Sequence, residues 1–490
     1  MRRVARIRRE RDSLGVKDVP ARALYGAFTQ RARETFQLSR RAPHPALIRA
    51  YAHVKAAAAR ANARLGLLPR GWARAIVWAA ARVADGTVPD VAVLDPFQAG
   101  AGTPTHMNVN EVIANLANER LGGRRGRWAP IHPNNHVNLA QSSNDVTPTA
   151  IRLMALELLP ALHDELGALQ RALARLARRE RAVVKVGRTH LQDGVPITYG
   201  QVFAGWAEAI RAAGAALRAT EAELDAVGLG GTAVGTGLTA HPRFRVLVVR
   251  ELSRITGRRL RPAPSAVTAT WSLRPILACS GALRALAVDL GKICFDLRLL
   301  ASGPAAGLGE LRLPEVEPGS SIMPGKVNPS VAEAVQMACF QVAANDHAIA
   351  LAAAAGELEL NVMTPLCATN LAESLELLTR ATRLLRTRCI AGLRVDRTRV
   401  GELLARSRVE ATALSPYLGY DVTAEVVKQA QARGVAVRDV VLEHGLMTPR
   451  ELTRILAPPA LTGPRAIDRA LRRRVQASRA LRNFRTRFLG

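Results

Sequence analysis

Six leucines, at positions 159, 162, 166, 169, 173 and 176, are separated by steps of three and four residues in strict alternation. Steps of three and four keep side chains on one stripe of an α-helix, and a stripe of this length is a seam that a single helix cannot bury alone. A strand would need its apolar side chains at every second position. The seam therefore demands at least one long helix packed against others. Helical periodicity of the same kind predicts helices over 45–67, 200–226, 276–301, 330–355 and 370–390, whereas alternating β-branched runs are scarce. Apolar residues make up 48% of the chain and aromatics only 4%, so the core is expected to be Ala, Leu and Val, which suits close helix packing. The expected fold class is all-α, in three parts around a long central helix bundle.

The parts are expected at 1–143 (mostly helical, with loops set by Pro104, Pro130, Pro133 and Pro148), 144–395 (the long helices), 396–458 (short helices) and 459–490 (a basic tail). The tail sequence RALRRRVQASRALRNFRTRF reads either as one amphipathic helix or as a solvated segment. The net charge is +29. It fits a solvated Arg-rich surface, a field that steers dianionic substrates, or a nucleic-acid binder. Basic residues scattered without interleaved aromatics make nucleic acid the least favoured of the three. Cys279, Cys294, Cys339, Cys367 and Cys389 show no metal-ligand spacing and read as core residues in a reducing, cytoplasmic setting. No secretory signal pattern and no run of about 18 apolar residues is present, so no membrane partner is expected.

Four segments concentrate small hydroxyls, amides and Gly: GAGTPTHMNVNE (100–111), HPNNHVNLAQSSND (132–145), GRTHLQD (187–193) and GSSIMPGKVNP (319–329). Each alone reads as a turn, and a Ser-Ser pair more often caps a helix than acts as a base. Together, Thr103, Ser142, Ser143, Asn144, Thr189, Lys326 and Asn328 are hydroxyl, amide and cationic donors suited to a small molecule with two carboxylates. Removing a carbon-bound proton beside a carboxylate leaves a doubly charged aci-carboxylate, which needs a cation and preorganised donors. Lys326 and Asn328 supply these types on a loop hinged by Gly319, Gly325 and three prolines. Ser321 is a candidate base if the loop stabilises its alkoxide.

These four segments, in this order, resemble the fumarase/aspartase branch of the class II fumarate lyase superfamily, from RERDSLG at Arg8 to VVLEHGL at about His444. GGTAVGTGL and MNVNEVIAN strengthen the resemblance. It implies an α-helical homotetramer with a twenty-helix central bundle and active sites shared by three subunits. It implies a C4-dicarboxylate substrate and neither cofactor nor metal. It makes Ser321 the base at Cβ, and Lys326 and Asn328 the holders of the aci-carboxylate. Thr103, Ser142, Ser143, Asn144 and Thr189 become substrate-binding residues, and His190 with Glu333 a charge relay.

Within that branch the motifs are mixed. His190, Ser143, GELRLPEVEPGSSIMPGK and LGYD resemble hydratases; Ala101, GELELNVMTP and VRDVVLEHGLMT resemble aspartases. The first reading is elimination of ammonia from L-aspartate to give fumarate. The alternative is hydration of fumarate to L-malate, and a third is an inactive homologue serving as a basic scaffold. Asn135, Ala305, Thr239 and His106 depart from the usual residues of the branch.

Overall fold

The computed structural model describes residues 6–490. A hairpin of β1 (Ile7–Asp12) and β2 (Gly15–Pro20) precedes α1 (Ala27–Thr35), α2 (Pro45–Arg64), α3 (Arg70–Ala84) and α4 (Thr103–Arg120). α5 (Ser143–Arg179) leads to a second hairpin, β3 (Val184–Thr189) and β4 (Gln192–Thr198), and then α6 (Tyr199–Leu224). Next come α7 (Phe244–Thr256), α8 (Ala266–Trp271), α9 (Arg274–Leu300), α10 (Ser330–Ala354) and α11 (Thr364–Arg388). Shorter helices follow: α12 (Arg397–Arg406), α13 (Ser415–Leu418), α14 (Tyr420–Arg433), α15 (Val437–Glu443) and α16 (Pro449–Ile455). The chain ends with α17 (Pro458–Leu461), α18 (Arg469–Gln476) and α19 (Arg479–Phe488). All five sequence-derived helices are present, with ends shifted by up to six residues, and the fold is all-α. The leucine seam lies on α5, and all six of its leucines are buried.

The prolines act differently from the expectation that they break the chain into loops. Pro104 sits in the first turn of α4, where its missing N–H costs no intrahelical bond. Pro148 lies inside the first two turns of α5. Pro133 opens a single π-turn, Pro133–Val137.

The chain divides into two compact units. The first comprises Met1–Leu166, Ala212–Gly291 and Gln336–Thr382; the second comprises Gly167–Arg211, Lys292–Val335 and Arg383–Gly490. In the first, α2 is built largely of buried alanine, from Ala46 to Ala61, and its neighbour α3 buries Ala73, Ala75, Ala79 and Ala80. Small side chains of this kind let helix backbones approach closely. α1 starts at Gly26, which has no side chain to cap it. Its free N–H groups are taken instead by buried Glu111 of α4, which accepts from Gly26, Phe28 and Thr29 backbone N–H and from Thr29 Oγ1 at 2.6–3.1 Å. Burial nevertheless pushes the Glu111 carboxyl up to about 7.

In the second unit, the terminal segment is not a solvated tail. Leu471 and Val475 of α18 and Leu481 and Phe484 of α19 share one core with Leu418, Val422, Val440 and Leu446. His444 lies edge-on to Phe484 and Phe488 at 4.9 and 5.3 Å. The basic sequence thus forms two short helices, not one, split at Ala477–Ser478 with Ser478 Oγ capping α19.

Glu111 yields a signed prediction. A carboxyl raised in the folded state contributes stability that is complete below its unfolded value, near 4.5, and is lost as pH rises through about 7. Glu111→Gln should flatten the decline of melting temperature between pH 5 and 7. It should also lower stability by about 1–3 kcal/mol, because an amide cannot accept all four donors. Thermal unfolding of both proteins across pH checks this.

Candidate active site

The first set of predicted residues lies in the first unit. The turn at Gly100–Gly102 holds Ala101 and Gly102 in the left-handed region, φ 58° and 68°. The Ala101 N–H donates to Val362 O at 2.8 Å. This turn delivers Thr103 to the start of α4, where Thr103 Oγ1 and Ser143 Oγ lie 2.8 Å apart. Ser143 also reaches Asn144 Oδ1 at 3.3 Å, Ser142 Oγ accepts the Asn144 N–H at 3.3 Å, and Asn144 Nδ2 donates to Ala233 O at 2.8 Å. The structure therefore brings Thr103, Ser142, Ser143 and Asn144 together, each half-buried.

Two residues absent from the sequence-derived set hold this cluster. Asp145 is buried and accepts from the N–H groups of Ser142 (2.9 Å), Gly230 (2.9 Å) and Thr232 (3.0 Å), tying the α5 start to the GGTAVG segment. Burial pushes its carboxyl up to about 6, against the downward pull of those three donors. Beneath it, fully buried Lys55 donates to Gln141 Oε1 (2.9 Å) and Asn138 Oδ1 (3.1 Å) and pairs with His106 Nε2. Burial holds both Lys55 and His106 well below their ordinary values, with Asp145 pulling Lys55 the other way. His106, a departure from the family pattern, is thus the partner of a buried lysine, stacked 6.0 Å from Tyr51. Lys55 was legible only as a charge inside the alanine run of α2.

The second set lies in the second unit. GRTHLQD does not directly join two helices; it is the tip of the β3–β4 hairpin, a pair of strands that the scarcity of alternating β-branched runs did not lead one to expect. Thr189 pairs with Gln192, leaving a two-residue turn of His190 and Leu191 at φ 54° and 60°. Such tight turns need positive φ at both central positions, which non-glycine residues resist, so the exposed tip carries backbone strain. The hairpin is anchored by Glu310, which is fully buried and bonded to Arg188 (2.6 Å), Lys185 (3.4 Å) and Tyr199 Oη (2.6 Å). Burial pushes the Tyr199 hydroxyl up and Lys185 down. Thr189 lines a cleft of about 730 Å³ with Lys185, Arg188, Trp206 and Lys292.

The GSSIMPGKVNP segment folds back on itself. Gly319 N donates to Lys326 O at 2.9 Å, and Asn328 Nδ2 donates to Gly319 O at 2.6 Å. Ser320 Oγ accepts from Ile322 and Met323 N–H at 3.2 and 3.0 Å. Ser320 thus closes a turn within the loop and caps no helix, since the next one begins at Ser330, and Ser321 is exposed, as is Lys326. Glu333, in the first turn of α10, lies 3.7 Å from Arg298. Within one chain its carboxylate faces that guanidinium. Among the described residues no group of three or more His, Cys, Asp or Glu is arranged to hold a metal ion.

Long helices that present clustered hydroxyls, amides and an exposed Ser–Lys loop are the framework of a helical lyase. Residues 15–344 match the family described as Lyase, and residues 411–463 match the one described as Fumarase C C-terminus. The chain is 44% identical to a class II fumarate hydratase of Bradyrhizobium diazoefficiens, covering 93% of this chain and 97% of that one. It is 45% identical to an aspartate ammonia-lyase of Pseudomonas canavaninivorans, covering 95% and 99%. A crystal structure of a fumarate lyase:delta crystallin from Brucella melitensis superposes with a TM-score of 0.90 at 45% identity, over 94% of this chain and all of that one. The chain belongs to the fumarase/aspartase family of the fumarate lyase superfamily.

The loop geometry generates a test. A Cβ on Gly319 would lie 2.3 Å from Lys326 O, so the loop closes on itself only with glycine there. Gly319→Ala should leave melting temperature nearly unchanged and lower kcat by about 100-fold, the scale expected when catalytic groups shift by about 1 Å.

Proposed function

We propose that the chain reversibly eliminates ammonia from L-aspartate to give fumarate. The observation that carries this reading is the Thr103–Ser143 hydroxyl pair at 2.8 Å, beside Ser142 Oγ and Asn144 Oδ1. Together they offer an ammonium the oxygen acceptors it needs. Ala101, in the left-handed turn before Thr103, adds a methyl where a further hydroxyl would suit a leaving water.

Ser321 takes the proton from Cβ of aspartate. The electron pair moves into the adjoining carboxylate, forming the aci-carboxylate, and then expels ammonia from Cα as the double bond forms. Lys326 balances the second negative charge, and Asn328 donates with the amide hydrogen not engaged by Gly319 O. Thr189 and the hydroxyl cluster hold the substrate's carboxylates. The base is a weak one, so it depends on closure of the loop to exclude water and direct backbone N–H groups at its oxygen.

The active form is a homotetramer with sites shared by three subunits. Its support is twofold. The candidate residues divide between the two units of the chain, and long helices carry large apolar side chains in the open. Val288 and Phe295 of α9 are 63% and 53% exposed, and Met337, Phe340 and Leu351 of α10 are 63%, 68% and 61% exposed. A second copy is also what would bring a Glu333 to a His190. The burial of all five cysteines supports a reducing, cytoplasmic setting. Burial pushes the thiols of Cys279, Cys339, Cys367 and Cys389 up to about 12, as in inert core positions.

The second reading, hydration of fumarate to L-malate, rests on His190, exposed on its strained hairpin tip where it could hold a water. Purified protein with L-aspartate and with L-malate, side by side, should form fumarate from aspartate, and Ser321→Ala should slow this by about 10²–10⁴-fold. Turnover of malate alone would replace the first reading with the second, and no turnover of either would favour a scaffold. Phe340→Glu should convert the tetramer to smaller species by light scattering and abolish turnover together with it.

A further inference from the structure

The scatter of basic residues along the chain changes character at Gly463, where the match to the family's C-terminal region ends. Residues 411–463 contain five acidic and five basic residues. The 27 residues that follow contain nine arginines (465, 469, 472, 473, 474, 479, 482, 485 and 487) against Asp468 alone, more than a quarter of the chain's +29. All nine are exposed.

This segment is built to present them. Asp468 caps α18 by accepting the Leu471 N–H at 2.9 Å, and Ser478 caps α19 through Leu481 N–H at 3.1 Å. Leu471, Val475, Leu481 and Phe484 turn inward to the core of 411–455. The helices are amphipathic, and docking uses their apolar side, which leaves a guanidinium face toward solvent. Few of these arginines are neutralised by the fold: Arg474 pairs with Glu451, while Arg465 and Arg482 donate to the carbonyls of Arg454 and Ala477.

We propose that this arginine face is a docking surface for the phosphate backbone of nucleic acid. The planar guanidinium fork matches phosphate oxygens, and phosphates along a strand answer an array of like charges with repeated opposite ones. A bilayer is the poorer occupant, because the apolar faces that would enter it are already packed against the core. Beside Arg485 lies a recess of about 280 Å³ formed with Gly419, Asp421 and Thr486, and next to it Tyr420 is 81% exposed, an aromatic ring placed for a base to stack on. Such a surface engages backbone and stacked bases, so binding is independent of sequence and steeply sensitive to salt. None of these residues belongs to the lyase site, so the inference stands or falls apart from the reaction assigned above.

The test is fluorescence anisotropy with the full-length protein and a fluorescein-labelled 30-nucleotide single strand and 30-base-pair duplex, from 50 to 200 mM NaCl. Arg469, Arg472, Arg473 and Arg479, all replaced by Gln, keep the buried side chains. A control variant removes the same charge from the exposed Arg60, Arg70, Arg74 and Arg82. The proposal expects binding by the parent protein. In the tail variant it expects affinity to fall by about tenfold or more. The slope of log K against log salt should become shallower, by about 0.9 units on duplex for each phosphate that the variant no longer neutralises. The control should stay near the parent, and lyase turnover should be unchanged in both. Absence of binding, an equal loss in the control, or binding to 25% phosphatidylserine vesicles in place of nucleic acid would each overturn it.

Discussion

A buried carboxylate that accepts backbone N–H groups is the interaction on which the donor-rich segments depend. Asp145 receives three such bonds, from Ser142, Gly230 and Thr232, and so joins two turns distant in sequence into one rigid support. Glu111 performs the same service for α1, and Glu310 holds the hairpin that carries Thr189 and His190 through Arg188, Lys185 and Tyr199. Turns cannot satisfy their own N–H groups, and an unpaired buried N–H is costly. An acid brought in from another element resolves this and also fixes where the turn's side chains point.

The groups proposed to act on substrate, by contrast, are exposed or strained. Ser321 and Lys326 lie on the solvent side of a loop closed by Gly319, Ser320 and Asn328. His190 sits at positive φ. The loop is braced by its own polar groups. The buried Lys55–His106 pair lies one layer below Ser142–Asn144 and shows how a departure from the family pattern is absorbed. Lys55 Nζ and His106 Nε2 share one hydrogen bond whose donor depends on the ring's tautomer, and burial disfavours a charge on either group.

Helices were legible in the residues because their periodicity is local: the leucine seam alone defines the buried stripe of α5. Turn chemistry misled at Pro104, since proline in a helix's first turn costs no intrahelical bond, and at Pro148, where α5 runs on although the bond to the Asn144 carbonyl is lost. The β3–β4 hairpin is not evident from the residues because Gly187, His190 and Leu191 read as loop residues, and although the pairing is local, the contacts that anchor it run to Glu310, more than a hundred positions away. The C-terminal arginines read equally as a solvated tail, because their apolar partners at 418–447 lie outside any local window.

By itself, then, the sequence determined the class of fold, the family and the chemical types gathered in four segments, all properties of spacing and residue type. Only the tertiary structure decided which of those residues meet. It placed Thr103 against Ser143, set Ser320 to close a turn of its own loop and left Ser321 exposed to solvent. It also put Lys55 under the cluster and turned nine arginines outward from one core. The physical reason is that hydrogen-bond partners and buried acids are chosen by proximity in space, and proximity between distant residues is a product of packing, not of pattern.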